Sequence, residues 1–231
     1  MKPWMNARLL ASALLLTACA GRPPAPDWQV DAHGALQRSV QAGLRGDARV
    51  AASEFARARA QTASTGRADW VARLELVRCA VKVASLDFGP CAGFEPLRTD
   101  APAAEQAYDA YLASRLPVQR ADLLPPGQRA VALALAARGP AGAGAIDPAL
   151  LRRIDDPFSR LVAAGVLAQA GGASAAVAEI AVETASAQGW RRPMLAWLEV
   201  QRRAAERAGD ATAAAALVRR IELVSGRPVR P

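Results

Sequence analysis

The chain has 231 residues, 52% of them hydrophobic and 5% aromatic, which gives ample apolar surface for one domain or one short array of repeats. Its single histidine leaves no histidine cluster for metal and only one imidazole on which a catalytic triad could be built. A formal net charge of +8 suits a surface that meets anionic lipid or polymer without demanding one.

Residues 1–18 begin with Lys2 and Arg8, hold no acid, and run apolar from Leu9 to Ala18, the parts of a secretory signal. Removing Lys2 and Arg8 from the 29 basic residues leaves 27 against 21 acids from Cys19 onward, a balance of +6. The apolar run is about ten residues long, whereas a helix needs roughly 20 to cross the hydrocarbon core, so no permanent span is expected there. The later apolar region between Leu161 and Val182 is interrupted by Gln169, Gly171 and Gly172.

The run closes on Leu16-Thr17-Ala18-Cys19. This resembles the lipobox of bacterial lipoproteins, in which a Leu and two small residues precede a Cys at the cleavage point. The resemblance implies diacylglyceryl transfer to the Cys19 thiol, cleavage before it, and acylation of the new amino group, palmitate being a typical chain. Two or three acyl chains, at about 0.8 kcal/mol per buried methylene, hold a protein firmly to a membrane. By the same resemblance Ala20 directs the protein to the outer membrane, facing the periplasm, where an Asp would favour inner-membrane retention. The other reading of these residues is a secreted protein with a chance Cys near its cleavage site.

Gly21 to Asp27 is Pro-rich and therefore extended, at about 3.1 Å per residue, or roughly 20 Å in all. The chain thus divides into a signal segment at 1–18, a lipidated N-terminus and linker at 19–29, a helical domain at 30–226 whose fold starts near Trp28, and a tail at 227–231.

Long Ala, Leu, Arg and Glu stretches, with no alternation of apolar and polar residues, make the expected fold all-α. Starts are marked by Asp100 before Pro102, Asp147-Pro148 and Asp156-Pro157. Stops are marked by Gly89-Pro90, Gly127, Gly139-Pro140, Gly171-Gly172 and Gly209. Helices are expected at about 31–44, 48–62, 68–87, 101–115, 127–138, 148–154, 157–170, 173–188, 193–208 and 210–224. The third carries one apolar stripe through Trp70, Leu74, Val77, Val81 and Ala84 and another through Leu76, Cys79, Val83 and Leu86, which predicts a helix sandwiched between neighbours.

Gly46-Asp47 followed by Ala51 and Phe55 resembles the second helix of a tetratricopeptide repeat, with its turn and A-x3-F spacing. Gly171-Gly172 with Ala176 and Ile180, and Gly209-Asp210 with Ala214 and Val218, are weaker copies. The family's first-helix pattern is absent, and 38 residues separate Gly171 from Gly209 where the family has about 34. The resemblance implies antiparallel helix pairs stacked as a solenoid; the alternative is an irregular helical bundle.

With Cys19 assigned to lipid, Cys79 and Cys91 remain, and an even pair in an oxidising compartment favours a disulfide. Eight helical residues from Cys79 to Asp87 climb about 12 Å, and the Gly89-Pro90 turn allows a return to Cys91. Two reduced cysteines, with Cys79 simply core, is the alternative.

Other candidates read as structure. His33, near the first helix start beside Asp31, is a surface or helix-end residue. Gly139 to Gly144 is a loop without the strand or the Lys of a phosphate-binding motif. Asp155-Asp156 before Pro157 is a helix cap before it is a catalytic pair. Glu54 with Arg57, Glu75 with Arg78, and Glu199 with Arg202 and Arg203 predict solvated helix faces. Arg152-Arg153 and Arg191-Arg192 are denser and suit an anionic surface or acidic partner; nucleic acid is not an expected partner outside the cytoplasm. No cofactor, metal or catalytic constellation is expected. The favoured function is a protein-binding or scaffolding lipoprotein of the envelope. The alternatives are a peptidoglycan-acting enzyme and a carrier of lipid or apolar ligands.

Overall fold

The computed structural model describes residues 25–138 and 146–226. The signal segment, Leu16, Thr17, Ala18 and Cys19, the segment from Gly139 to Gly144 and the tail at 227–231 lie outside the described residues. All regular structure among the described residues is helical, as expected for an all-α fold. Among the described residues ten α-helices run in chain order: α1 Asp27–Arg45, α2 Ala48–Ala63, α3 Ala68–Ala84, α4 Ala103–Leu112, α5 Pro126–Ala137, α6 Ala149–Arg152, α7 Pro157–Gln169, α8 Ala175–Ala187, α9 Arg191–Arg207 and α10 Ala211–Ser225. Two 3-10 segments, Glu95–Leu97 and Val118–Leu123, were not expected; both fall in Pro-containing connections. No helix among the described residues is long and apolar enough to cross a membrane.

Several helix ends follow from local chemistry. The Asp156 carboxylate accepts the Ser159 backbone N–H at 2.7 Å, so it caps α7 as expected. Asp210 accepts from Ala213 N–H at 2.8 Å at the start of α10. Asp100 does not cap α4, which opens at Ala103 behind an extended Pro102. The first helix starts at Asp27, earlier than residue 31, directly behind the extended Pro26. The third ends at Ala84, not near 87, because Leu86 takes a left-handed φ of 57° and turns the chain away.

The helices α1 and α2 are antiparallel. Arg38 meets Glu54, Ser39 donates to the Ala51 carbonyl at 2.8 Å, and Gly43 lies over Ala51, so residue numbers rise on one helix as they fall on the other. The middle of the molecule is the pair α3 and α7, and each is packed against several neighbours. α3 contacts α1, α2 and α4 as well as α7; α7 contacts α4, α5, α6 and α8. This matches a third helix apolar on two sides. In α7 every residue from Leu161 to Leu167 is buried, including Gly165. Fully burying each such Leu or Val contributes about 2 kcal/mol.

The chain closes on itself where α9 meets α1. The Trp190 indole N–H donates to Gln41 Oε1 at 3.0 Å, and the buried Trp197 indole N–H donates to the Ala84 carbonyl at 3.3 Å. Arg192 pairs with Asp87 at 2.9 Å across the same seam. A buried amide ties another corner: Gln128 accepts from the Tyr111 hydroxyl at 2.6 Å and donates to the Ser159 carbonyl at 2.8 Å, linking α4, α5 and α7.

Candidate binding surfaces

Alanines on the facing sides of α8 and α9 floor an open groove of about 990 Å³ that Asp210 and Arg220 close from α10. Small side chains make its floor, with Ala178, Val182, Val200 and Ala204 lining it. Its lining holds Glu179, Glu183 and Asp210 against a single Arg220, so the groove itself is acidic on a basic protein. The helix α10 has no fully buried residue. Leu217, Ile221 and Val224 lean on the core, while Val218 and Leu223 face solvent, Leu223 at 71% exposure. On the outer side of α9, Glu199 accepts from Arg202 and Arg203, as the spacing predicts, and the Arg202 guanidinium holds its carboxyl down to about 2.

A second groove, of about 550 Å³, lies at the opposite end of the sequence, between the start of α1 and α3. Trp28 and Trp70 stack there with ring centroids 5.1 Å apart, beside Leu36 and Leu74. His33 lines the same groove from an exposed position on α1, as the sequence reading placed it. Ala25, where the described chain begins, forms part of its rim.

The sulfurs of Cys79 and Cys91 lie at disulfide distance, with Cα atoms 5.8 Å apart. They line a cavity of about 390 Å³ with Lys82, Asp87, Phe88, Glu95, Asp109 and Arg115. The carboxylates in it are engaged: Arg98 reaches Glu95 at 2.7 Å and Asp109 at 2.8 Å. Because α3 stops at Ala84, the return to Cys91 runs through a longer non-helical segment than the expected helix to 87 allowed.

Two ionic expectations change. Glu75 is not on a solvated face: it is 3% exposed and held by Arg59 at 3.0 Å and Arg78 at 2.6 Å. The loop carrying Gly93 folds over it, which helical spacing cannot foresee. Glu54 pairs not with Arg57 but with Arg38 of α1, at 2.9 Å, because the antiparallel hairpin brings that guanidinium closer. Arg152 and Arg153 are exposed at the end of α6, and Arg191 is exposed at the start of α9. Arg192 is half-buried and committed to Asp87.

The arrangement therefore defines an all-α protein with an acidic, Ala-floored groove among its last helices and an aromatic groove among its first. Among the described residues no three of His, Cys, Asp and Glu are grouped so as to hold a metal ion. The chain matches no family model, no curated protein and no solved structure. Sequence reasoning missed the Trp28–Trp70 stack, since the two rings sit on different helices and no local pattern pairs them.

Proposed function

We propose that this chain is a lipid-anchored lipoprotein of the outer membrane, facing the periplasm, that binds a protein partner and is not an enzyme. The observation that carries the reading is the Leu16-Thr17-Ala18-Cys19 motif at the end of a basic-then-apolar leader. The acidic groove between α8, α9 and α10 supports the binding half, because an Ala floor admits the close approach of a guest helix. Its lining of Glu179, Glu183 and Asp210 favours basic residues flanking the apolar stripe of that guest. The tetratricopeptide-like reading belongs to this proposal. It is supported by the two-residue turn Gly46-Asp47 between antiparallel α1 and α2 and by the burial of Phe55.

The test has two parts. Mass spectrometry of the N-terminal peptide should find Cys19 as the first residue with fatty acyl groups attached, and Cys19→Ala should release the protein from the membrane fraction. Mild crosslinking in envelopes should then enrich a partner that is lost in a Glu179→Lys, Glu183→Lys double variant; both side chains are exposed, so the fold should survive. An unmodified Cys19 would overturn the anchor. A partner that ignores the charge reversal would overturn the groove.

A further inference from the structure

We propose that the Trp28–Trp70 end of the molecule seats in the headgroup region of the bilayer that holds Cys19, so that the helical body lies on the membrane instead of hanging from it. This rests on the lipid-anchor reading above. The length of chain before the fold supplies the first argument. Six residues lead from Cys19 to Ala25, a span of at most about 20 Å even when fully extended. The rim residue Ala25 is part of the aromatic groove itself. Whatever the tether's path, the groove mouth stays within that distance of the lipid surface.

The chemistry of the groove supplies the second. Trp28 and Trp70 are both half-buried, stacked 5.1 Å apart, and Val30 on the same helix start is 58% exposed. Indole rings prefer the boundary between hydrocarbon and water, where the apolar ring body and the N–H are both accommodated. Leu36 and Leu74 extend the apolar surface into the groove. The polar groups around it also suit that depth. Arg67 lies 4.4 Å from the Trp70 ring centroid and pairs with Asp69, and Arg73 pairs with Glu105. Asp27, Gln29, Asp31 and His33 are exposed on the first turns of α1 and remain hydrated among headgroups. With Asp27 and Asp31 beside it, this end favours a zwitterionic surface over an anionic one. Confinement within the reach of so short a tether raises the local lipid concentration enough for a weak contact to be populated.

The experiment uses the full chain, expressed in a bacterium that processes lipoproteins, purified in detergent and incorporated into vesicles of phosphatidylethanolamine and phosphatidylcholine. Part of the phosphatidylcholine carries bromine on its acyl chains near the headgroup, which quenches indole emission on contact. After removal of residues 1–18, Trp28, Trp70, Trp190 and Trp197 remain, and the last two are buried at 3% and 0% exposure. Brominated vesicles should therefore remove about half of the emission, the share of the two interfacial rings. Trp28→Phe with Trp70→Phe should abolish the quenching, and Val30→Asp should weaken it without changing the far-ultraviolet dichroism. Equal emission from brominated and ordinary vesicles would overturn the seating. The acyl mass of the N-terminal peptide from the same sample separates the causes. Acylated but unquenched protein defeats the seating alone; unacylated protein defeats the anchor and the seating with it.

Discussion

Gly165 on α7 rests directly on the backbone of Val83 on α3: a methyl group on its Cα would stand 2.2 Å from the Val83 carbonyl oxygen. The two central helices cross here without a side chain between them. Next to this contact the Ser114 hydroxyl donates to the Val166 carbonyl at 2.9 Å, pinning the chain after α4 to the same turn. Gly165→Ala must push α3 and α7 apart, since backbone cannot give way as a flexible side chain does. The expected loss is about 3 kcal/mol, read as a lower urea midpoint with an unchanged slope.

A second glycine closes over a buried charge. A Cβ on Gly93 would fall 2.1 Å from Glu75 Oε2 and 2.5 Å from Arg78 Nη2. Gly93→Ala must push aside the tips of Glu75 and Arg78, which can swing where backbone cannot, so the loss should be smaller than at Gly165, about 1 kcal/mol. Gly89→Ala in the same connection is the control. Its nearest neighbour would be Lys82 Nζ at 3.9 Å, so its urea midpoint should barely move.

Tyr108 and Tyr111 are the only tyrosines, and burial pushes both hydroxyls above their ordinary value of 10.0, Tyr111 well above it. The neutral forms belong to the folded state. Their contribution is therefore whole below pH 10 and declines as pH rises past it, because the unfolded chain ionises its tyrosines first. An absorbance titration should show no tyrosinate while the dichroism is native, then both changes together. Tyrosinate appearing in the folded protein near pH 10 would contradict this.

If Cys79 and Cys91 are joined, the native protein should not react with thiol reagents at either position. Reduction should lower stability by about 3 kcal/mol, the value for a closed loop of this size. A urea titration with and without a phosphine reductant reads the difference. An unchanged midpoint would mean that burial of the two cysteines, at 8% and 7% exposure, already holds the segment.

Much of the fold was legible because helices announce themselves locally. Asp156 before Pro157 marked a cap that forms, and the two apolar stripes of the third helix marked an element packed on several sides. What stayed hidden depends on distant segments. Glu75 looks solvated when only its own helix is considered, and becomes buried through a loop that begins beyond Leu86. The two grooves were invisible for the same reason: one needs separate helices to come together and the other needs Trp28 to find Trp70. The lipobox resemblance at Leu16-Thr17-Ala18-Cys19 needs no fold to be read, because it rests on four consecutive residues.

The bond between Gln41 and Trp190 joins residues 149 positions apart. During synthesis the leading helix arrives first and waits for most of the polypeptide before its last face is covered. Contacts of such separation form late, because the intervening loop must first be closed. A chain emerging from its N-terminus thus stays unlocked through most of its passage, and the Gln41–Trp190 seam acts as a latch that the trailing end throws.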